Sequence, residues 1–317
     1  MRWVCAPEID EALDFPTLID ALARAFAGGF TAPKRHHHAI ERVGAATATH
    51  LLMPAWTTTE TPGGAWLGTK IVNVFPDNGR RGLPAVLGLY VLQSGETGEA
   101  LAAMDGARLT HWRTAAASAL AARFLGRGDA RRLLMVGSGA LAPFLVRAHA
   151  AVRPIEEVTV WNHRRAGAEK LAAALSGQGW RIRVAEDLET AARAADVISC
   201  ATLSGAPLIA GAWLAPGQHL DLVGAFNLEM REVDDEALRR ARIFVDTDAA
   251  LTEGGDVALA LRAGAIGRAD VVGDLGALCR GAPGRTDRQE ITLFKSVGAA
   301  LEDLAAAMLV WRKLAPN

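Results

Sequence analysis

The spacing of hydrophobic positions changes along the chain, and each change predicts a different kind of element. Over residues 15–28, FPTLIDALARAFAG, apolar side chains recur every three or four positions and stop at Gly28-Gly29, which predicts an amphipathic helix with a glycine terminus. From Thr31 to Gln93 the apolar runs shorten to LLMPAW (51–56), TKIVNVF (69–75) and AVLGLYVLQ (85–93), divided by Gly, Pro, Asn and Thr. That texture predicts antiparallel strands joined by turns. TAAASALAARFL (114–125) is alanine-rich and predicts a helix ending at Gly126.

A regular alternation follows. RLLMV (132–136), EVTVW (157–161), RIRV (181–184), DVISCAT (196–202), HLDLVGA (219–225) and RIFVDT (242–247) read as strands. ALAPFLVRAHAAV (140–152), RRAGAEKLAAAL (164–175) and DLETAARAA (187–195) read as helices between them. Such alternation predicts a parallel sheet with helices on both faces. The stretch 291–314 reads as one long amphipathic helix after a short lead-in. The fold class is therefore α/β. A smaller domain is expected over 1–113, with helix 299–317 folding back to it, and a larger one over 114–298. The length of 317 residues agrees, at roughly 150 residues per domain.

Strand 132–136 runs into Gly137-Ser138-Gly139-Ala140-Leu141-Ala142 and then a helix. This is the GxGxxA form of the dinucleotide fingerprint: a tight turn, a glycine that lets backbone approach a pyrophosphate, and a small residue for close helix–strand packing. The anion would sit at the helix N-terminus. After the next strand, where NAD-binding folds place an acid for the ribose 2′-OH, the chain has Asn162-His163-Arg164-Arg165. Arginines there suit a 2′-phosphate, so NADPH is the expected cofactor, with NAD possible. The alternative is a pair of solvated surface arginines.

Composition narrows the partners. Lys+Arg (34) and Asp+Glu (35) nearly cancel, so the basic excess of nucleic-acid binders is absent. The three cysteines, Cys5, Cys200 and Cys279, form no CxxC pair and fit a reducing cytoplasm. Early acids (Glu8, Asp10, Glu11, Asp14) argue against a signal peptide, and the long uncharged stretch 197–220 is broken by Gly and Pro, so no membrane span is expected. His36-His37-His38 do not make a metal site, since strand neighbours alternate sides and no Cys, Asp or Glu has ligand spacing. No metal is expected.

Several segments together resemble the ornithine cyclodeaminase/mu-crystallin family: LLMPAW (51–56), GTKIVNVFPDN (68–78), GLPAV (82–86), TGEALAAMDG (97–106), LTHWRTAAASALAA (109–122), the GSGA loop and EITLFKSVGAALEDLAAA (290–307). With VGAF (223–226), LLMPAW is similar to the branch that reduces Δ1-pyrroline-2-carboxylate and Δ1-piperideine-2-carboxylate to proline and pipecolate. The resemblance implies a Rossmann-type doubly wound parallel sheet plus a smaller α/β substrate-binding and dimerisation domain, hence a homodimer. It maps the family's carboxylate-binding cations onto Lys70 and Arg113. Both also make chemical sense, because a small anionic substrate needs a fixed counter-charge and arginine offers a planar fork. Their alternatives are a solvent-side edge lysine and a helix-surface arginine. By the same resemblance Arg35 matches a third carboxylate-binding cation; one of the three histidines is expected in the substrate pocket as a proton relay, and His36 and Met53 are placed on the substrate side.

Thr114 is expected to begin a helix and reach the cofactor phosphates. Thr202, Val223 and Gly224 at strand ends, and Lys295 and Ser296 in TLFKSVG, complete the expected cofactor contacts. Cyclodeaminases carry a proton-transferring Asp where this chain has Phe226, and a Glu where it has Leu51; neither side chain here transfers protons. Phe226 is then an apolar wall, and Glu253 or Asp256 a candidate partner for the substrate nitrogen. What remains suits hydride transfer to a flat anionic imine. The competing readings are ornithine cyclodeamination, an alanine-dehydrogenase-like amination, and a non-catalytic NADPH and small-ligand binding protein.

Overall fold

A computed structural model describes residues 1–315. In chain order, β1 (Arg2–Val4), α1 (Ala6–Ala12), α2 (Phe15–Ala27), β2 (Phe30–Thr31), β3 (His36–Ile40), β4 (Ala48–Thr57), β5 (Trp66–Val74), β6 (Val86–Ser94), β7 (Ala100–Asp105) and α3 (Gly106–Leu125) come first. Then follow β8 (Arg132–Val136), α4 (Ala142–Val152), β9 (Glu157–Trp161), α5 (Arg165–Leu175), β10 (Arg181–Val184), α6 (Leu188–Ala194), β11 (Val197–Cys200) and β12 (His219–Leu222). The series closes with α7 (Asp235–Arg240), β13 (Ala241–Val245), α8 (Gly255–Arg262), β14 (Val271–Asp274), α9 (Leu275–Cys279), β15 (Ile291–Lys295) and α10 (Ala300–Leu314). The chain divides into two compact units: Met1–Thr114 with the stretch from Ala299, and Ala115–Gly298.

In the first unit the sheet order is β1-β7-β6-β5-β4-β2, with β3 also on β4. β1 runs parallel to β7 and the other pairs are antiparallel. The register aligns Met53, Lys70, Tyr90 and Met104 in one row across four strands. Strand side chains alternate, so Leu52, Ile71 and Leu89 face the other way. The helices gather on the Lys70 side, α10 crossing β4, β5 and β6 and packing on α2. Asp14 caps α2 by accepting from Thr17 N at 2.9 Å, and Phe15, Leu18, Ile19, Leu22 and Phe26 bury one stripe. Each such side chain contributes roughly 1.5–3 kcal/mol when fully buried.

The second unit is an eight-stranded, wholly parallel sheet ordered β10-β9-β8-β11-β12-β15-β13-β14. The chain moves outward from β8 to β10, then reverses to β11 and β12. That reversal creates the crevice where doubly wound sheets bind ligands.

Two expectations need correction. Residues 291–314 are not one helix, because Ile291–Lys295 form β15, a central strand buried along its whole length. A strand covered on both faces reads as a continuous apolar run, which periodicity cannot distinguish from buried helix. Gly298, at φ 81°, separates it from α10. The second correction is that α3 starts at Gly106, where the Asp105 carboxylate accepts from Arg108 N at 2.9 Å. Thr114 therefore lies inside the helix, and its N–H belongs to the helical ladder rather than to an anion-binding end. The strand and helix over Arg2–Ala12 were not foreseen at all.

Candidate functional site

The loop after β8 has the backbone a dinucleotide requires. Gly137 adopts φ 105°, and a Cβ there would lie 2.6 Å from Ala201 O. Only glycine tolerates both conditions. At Gly139 a Cβ would meet nothing within 4 Å, so the second glycine faces open space at the start of α4. Ala142 is fully buried against the sheet. Ser138, Ala140 and Leu141 complete the turn, and Ala142 N donates to Gly139 O at 3.1 Å. These residues fit a pyrophosphate: the N-terminal end of an eleven-residue helix, room for close backbone approach, and a position at the reversal of strand order.

At the end of β9, Asn162 stands where an acid would bind a ribose, its amide donating to Arg164 O at 2.9 Å. His163 and Arg164 are exposed, and Arg164 makes no ion pair among the described residues. Arg165 instead pairs with Glu169 at 2.9 Å along α5. Of the two arginines, Arg164 is thus the one without a charged partner.

Beyond β11 and β12 the expected contacts are organised by a residue the sequence did not single out. Glu232 is fully buried. One of its oxygens accepts from Thr202 N at 2.7 Å and Thr202 Oγ1 at 2.8 Å; the other accepts from Gly224 N at 2.8 Å and Ala225 N at 3.4 Å. Burial, with Asp256 adding to it, raises the pKa of Glu232, and Lys295 opposes the shift. Val223 is buried, its N–H donating to Cys200 O at 2.9 Å.

Lys295 and Asp256 depart from expectation. Both are completely buried, their charged atoms 3.1 Å apart, and Asp256 accepts from Glu232 N at 2.7 Å and Val233 N at 3.1 Å. A buried cation needs such a partner. Lys295 is paired with Asp256, and Asp256, fully buried, has no surface for a substrate nitrogen. Ser296 is buried, donating from N to Leu222 O at 3.1 Å. Glu253 is half-buried in the loop before α8, and Phe226 is 40% exposed.

In the first unit Lys70 and Arg113 come together. Lys70 is 2% exposed, which rules out a solvent-side lysine, and Arg113 is 5% exposed. The ammonium lies 2.7 and 2.9 Å from the two oxygens of Asp303, with Thr110 Oγ1 at 3.4 Å. Arg113 Nε donates to Asp303 at 3.2 Å and Nη1 to Glu302 at 2.7 Å. Glu302 also accepts from Ala299 N at 3.1 Å, its carboxylate reaching back to the N-cap backbone of α10. Burial, then Arg113, lowers the pKa of Lys70 to about 8. Tyr90, the single tyrosine, sits beside Lys70 with its hydroxyl buried, and burial together with Asp303 raises its pKa.

Met53 pairs directly with Lys70 and is buried on the same face. Leu51, the position of the missing acid, lies opposite Val72 on that face too. His36 does not: it is opposite Leu52, whose side chain points away from Lys70. Alternation instead puts His37, opposite Leu51, on the Lys70 side, while Arg35 precedes the strand. His36 and His38 stack with ring centroids 6.4 Å apart on the far face. No group of metal-ligating residues is present among the described residues.

The model of the ornithine cyclodeaminase/mu-crystallin family matches residues 8–316. The Δ1-pyrroline-2-carboxylate reductase of Paracoccus denitrificans is 41% identical over 276 residues, 86% of each chain. The solved structure of Thermococcus litoralis Δ1-pyrroline-2-carboxylate reductase with NADH and L-proline superposes at TM-score 0.92, with 31% identity over 99% of this chain and 97% of that one. An archaeal alanine dehydrogenase dimer with bound NAD superposes at TM-score 0.90, with 30% identity over 99% and 95%.

Proposed function

The chain belongs to the ornithine cyclodeaminase/mu-crystallin family, and we propose that it reduces cyclic imino acids, Δ1-pyrroline-2-carboxylate to proline and Δ1-piperideine-2-carboxylate to pipecolate. The observation that carries this reading is the convergence of Lys70 and Arg113 on one carboxylate, that of Asp303, inside a buried site. Donors that close on an internal carboxylate are spaced to close on the carboxylate of a small ring. Arg113 contributes a fork and Lys70 a point charge. The relatives that share the whole fold include two Δ1-pyrroline-2-carboxylate reductases.

Leu51 and Phe226 supply no proton-transferring group, which favours reduction over deamination. A reduced nicotinamide cofactor, with its pyrophosphate held at the Gly137–Ala142 loop, would supply the hydride. The chain's own part is placement, with Lys70 and Arg113 fixing the ring and the buried site excluding water. NADPH is the preferred donor in this reading, because Arg164 is exposed where an acid would read the 2′-OH. An absorbance assay with both cyclic imines and both cofactors tests it. Oxidation of NADPH by the imines is expected; ammonia release from ornithine without imine reduction would overturn it.

The reading includes a homodimer formed through the sheet of the first unit. The face opposite Lys70 carries Leu52, Trp56, Ile71, Leu87, Leu89 and Val91, and the unit's helices lie on the other side. A second copy of the same face would cover it, as closed pairs commonly do. The alanine dehydrogenase relative is a dimer. A monomer at micromolar concentration in sedimentation would refute this. Residence in the cytoplasm is part of the same reading, supported by three free cysteines; no helix among the described residues is long and apolar enough to cross a membrane.

A further inference from the structure

The far half of the dinucleotide crevice is built around a carboxylate that no ligand can touch. Thr202 follows β11, and Gly224 and Ala225 follow β12. These are the two strands on the other side of the reversal from β9 and β10. Left alone, the two strand ends would be joined by little more than the edge of the sheet. Glu232 joins them, one oxygen on Thr202 and the other on Gly224 and Ala225. Hydrogen bonds to an ionised group are the strong kind. The approach is close enough that a Cβ at Gly224 would sit 2.1 Å from Thr202 O and 2.4 Å from Glu232 Oε1.

Glu232 is itself held. Asp256 takes its N–H at 2.7 Å, and Lys295 from β15 neutralises Asp256 at 3.1 Å. Two carboxylates and one ammonium are thus buried together beneath loops that a purely apolar core could have supported. Burying charge is costly and adds little stability compared with well-packed apolar side chains. Such an arrangement fixes geometry more than it adds stability.

We propose that Glu232 is a positioning residue for the cofactor's nicotinamide half, setting the distance between the strand ends at Thr202 and Gly224. In doubly wound sheets each half holds one mononucleotide, and the ribose-reading position at the end of β9 marks the β8–β10 half as the adenosine side. The β11–β12 half is then the nicotinamide side. Glu232 acts there through backbone it does not share with the ligand. The inference rests on the dinucleotide reading of the Gly137–Ala142 loop and is independent of which imine is reduced.

The test is binding, measured by calorimetry on the full chain. Wild-type protein should bind both NADPH and its adenosine-side fragment, adenosine 2′,5′-bisphosphate; failure to bind either would sink the cofactor reading itself. In Glu232→Gln an amide replaces one acceptor and leaves donors facing an NH2. NADPH affinity should fall at least about tenfold, while affinity for the fragment stays within about twofold. Equal weakening of both ligands would mark Glu232 as merely structural, and unchanged NADPH affinity would also overturn the proposal. Should Glu232→Gln not fold, Glu232→Asp decides, since it keeps the charge and withdraws it by one methylene. A loss of NADPH affinity with the fragment spared is expected there too, and no selective loss overturns the proposal.

Discussion

In the first unit two cations meet two carboxylates that lie side by side in the first turn of α10; in the second, one cation meets two carboxylates, one of them enclosed by N–H and O–H groups. The two clusters are equally buried but differ in what they have left over. Lys70 and Arg113 present many N–H donors on two side chains, and an incoming carboxylate can share them. Glu232 offers about four acceptor sites, and Thr202, Gly224 and Ala225 occupy them. In the proposed reading the donor-rich cluster binds the substrate and the saturated acceptor shapes the cofactor site.

The largest expected effect comes from Asp303→Ala, which leaves two cations facing one acid. Breaking a buried pair by removing one partner costs about 3–5 kcal/mol, so the urea midpoint should drop markedly and imine reduction should vanish. If stability is unchanged, the cluster is not the closed unit described.

Next comes Lys70→Met, for which kcat/KM on both imines should fall at least about tenfold with NADPH affinity nearly unchanged. Adding Asp303→Leu to Lys70→Met removes both charges of that pair. It should restore much of the lost stability but no activity, which would separate binding from shaping within one cluster. Near-native turnover in Lys70→Met would place the carboxylate elsewhere, with Arg35 the next candidate.

A smaller effect is the pH profile. Lys70 is held down to about 8, so it is charged below that pH and loses its proton as pH rises through it. KM for the imine should therefore increase above pH about 8, and Lys70→Arg should abolish that rise. The stability linkage has the opposite sense. Between about 8 and 10.5 the unfolded chain holds a proton the folded one releases, so this group's contribution grows with pH across that window.

The smallest effect tests selectivity. Arg164→Ala should weaken NADPH several-fold more than NADH, and Arg165→Ala, whose side chain pairs with Glu169, much less. Equal effects of Arg164→Ala on the two cofactors would leave the arginine a surface residue.

The features legible in the sequence are those set by local rules. Gly137 and Gly139 announce themselves because a turn and a close approach demand glycine, and the strand–helix alternation foretold β8 to β13 with α4, α5 and α6, though not β14, β15 or the order of strands in the sheet. Lys70 was legible as a charge inside an apolar strand. Its partners were not, since Glu302 and Asp303 read as ordinary first-turn acids that favour the helix dipole. Only packing reveals that they are buried. Glu232 was hidden for the same reason, in a stretch where an acid looks solvated. His36 was misplaced by a single position, which on a strand is the difference between two faces.

The sequence separation of Lys70 from Asp303 has a consequence for the order of events during synthesis. The sheet of the first unit is translated early, yet its acids arrive on α10, after every strand of the second unit. Until then a lysine and an arginine destined for burial must wait in water, where charge is cheap to keep. The cluster that joins Lys70 and Arg113 to α10 can therefore close only after the second unit has been made. The second unit, whose strands are continuous in sequence, can fold ahead of it.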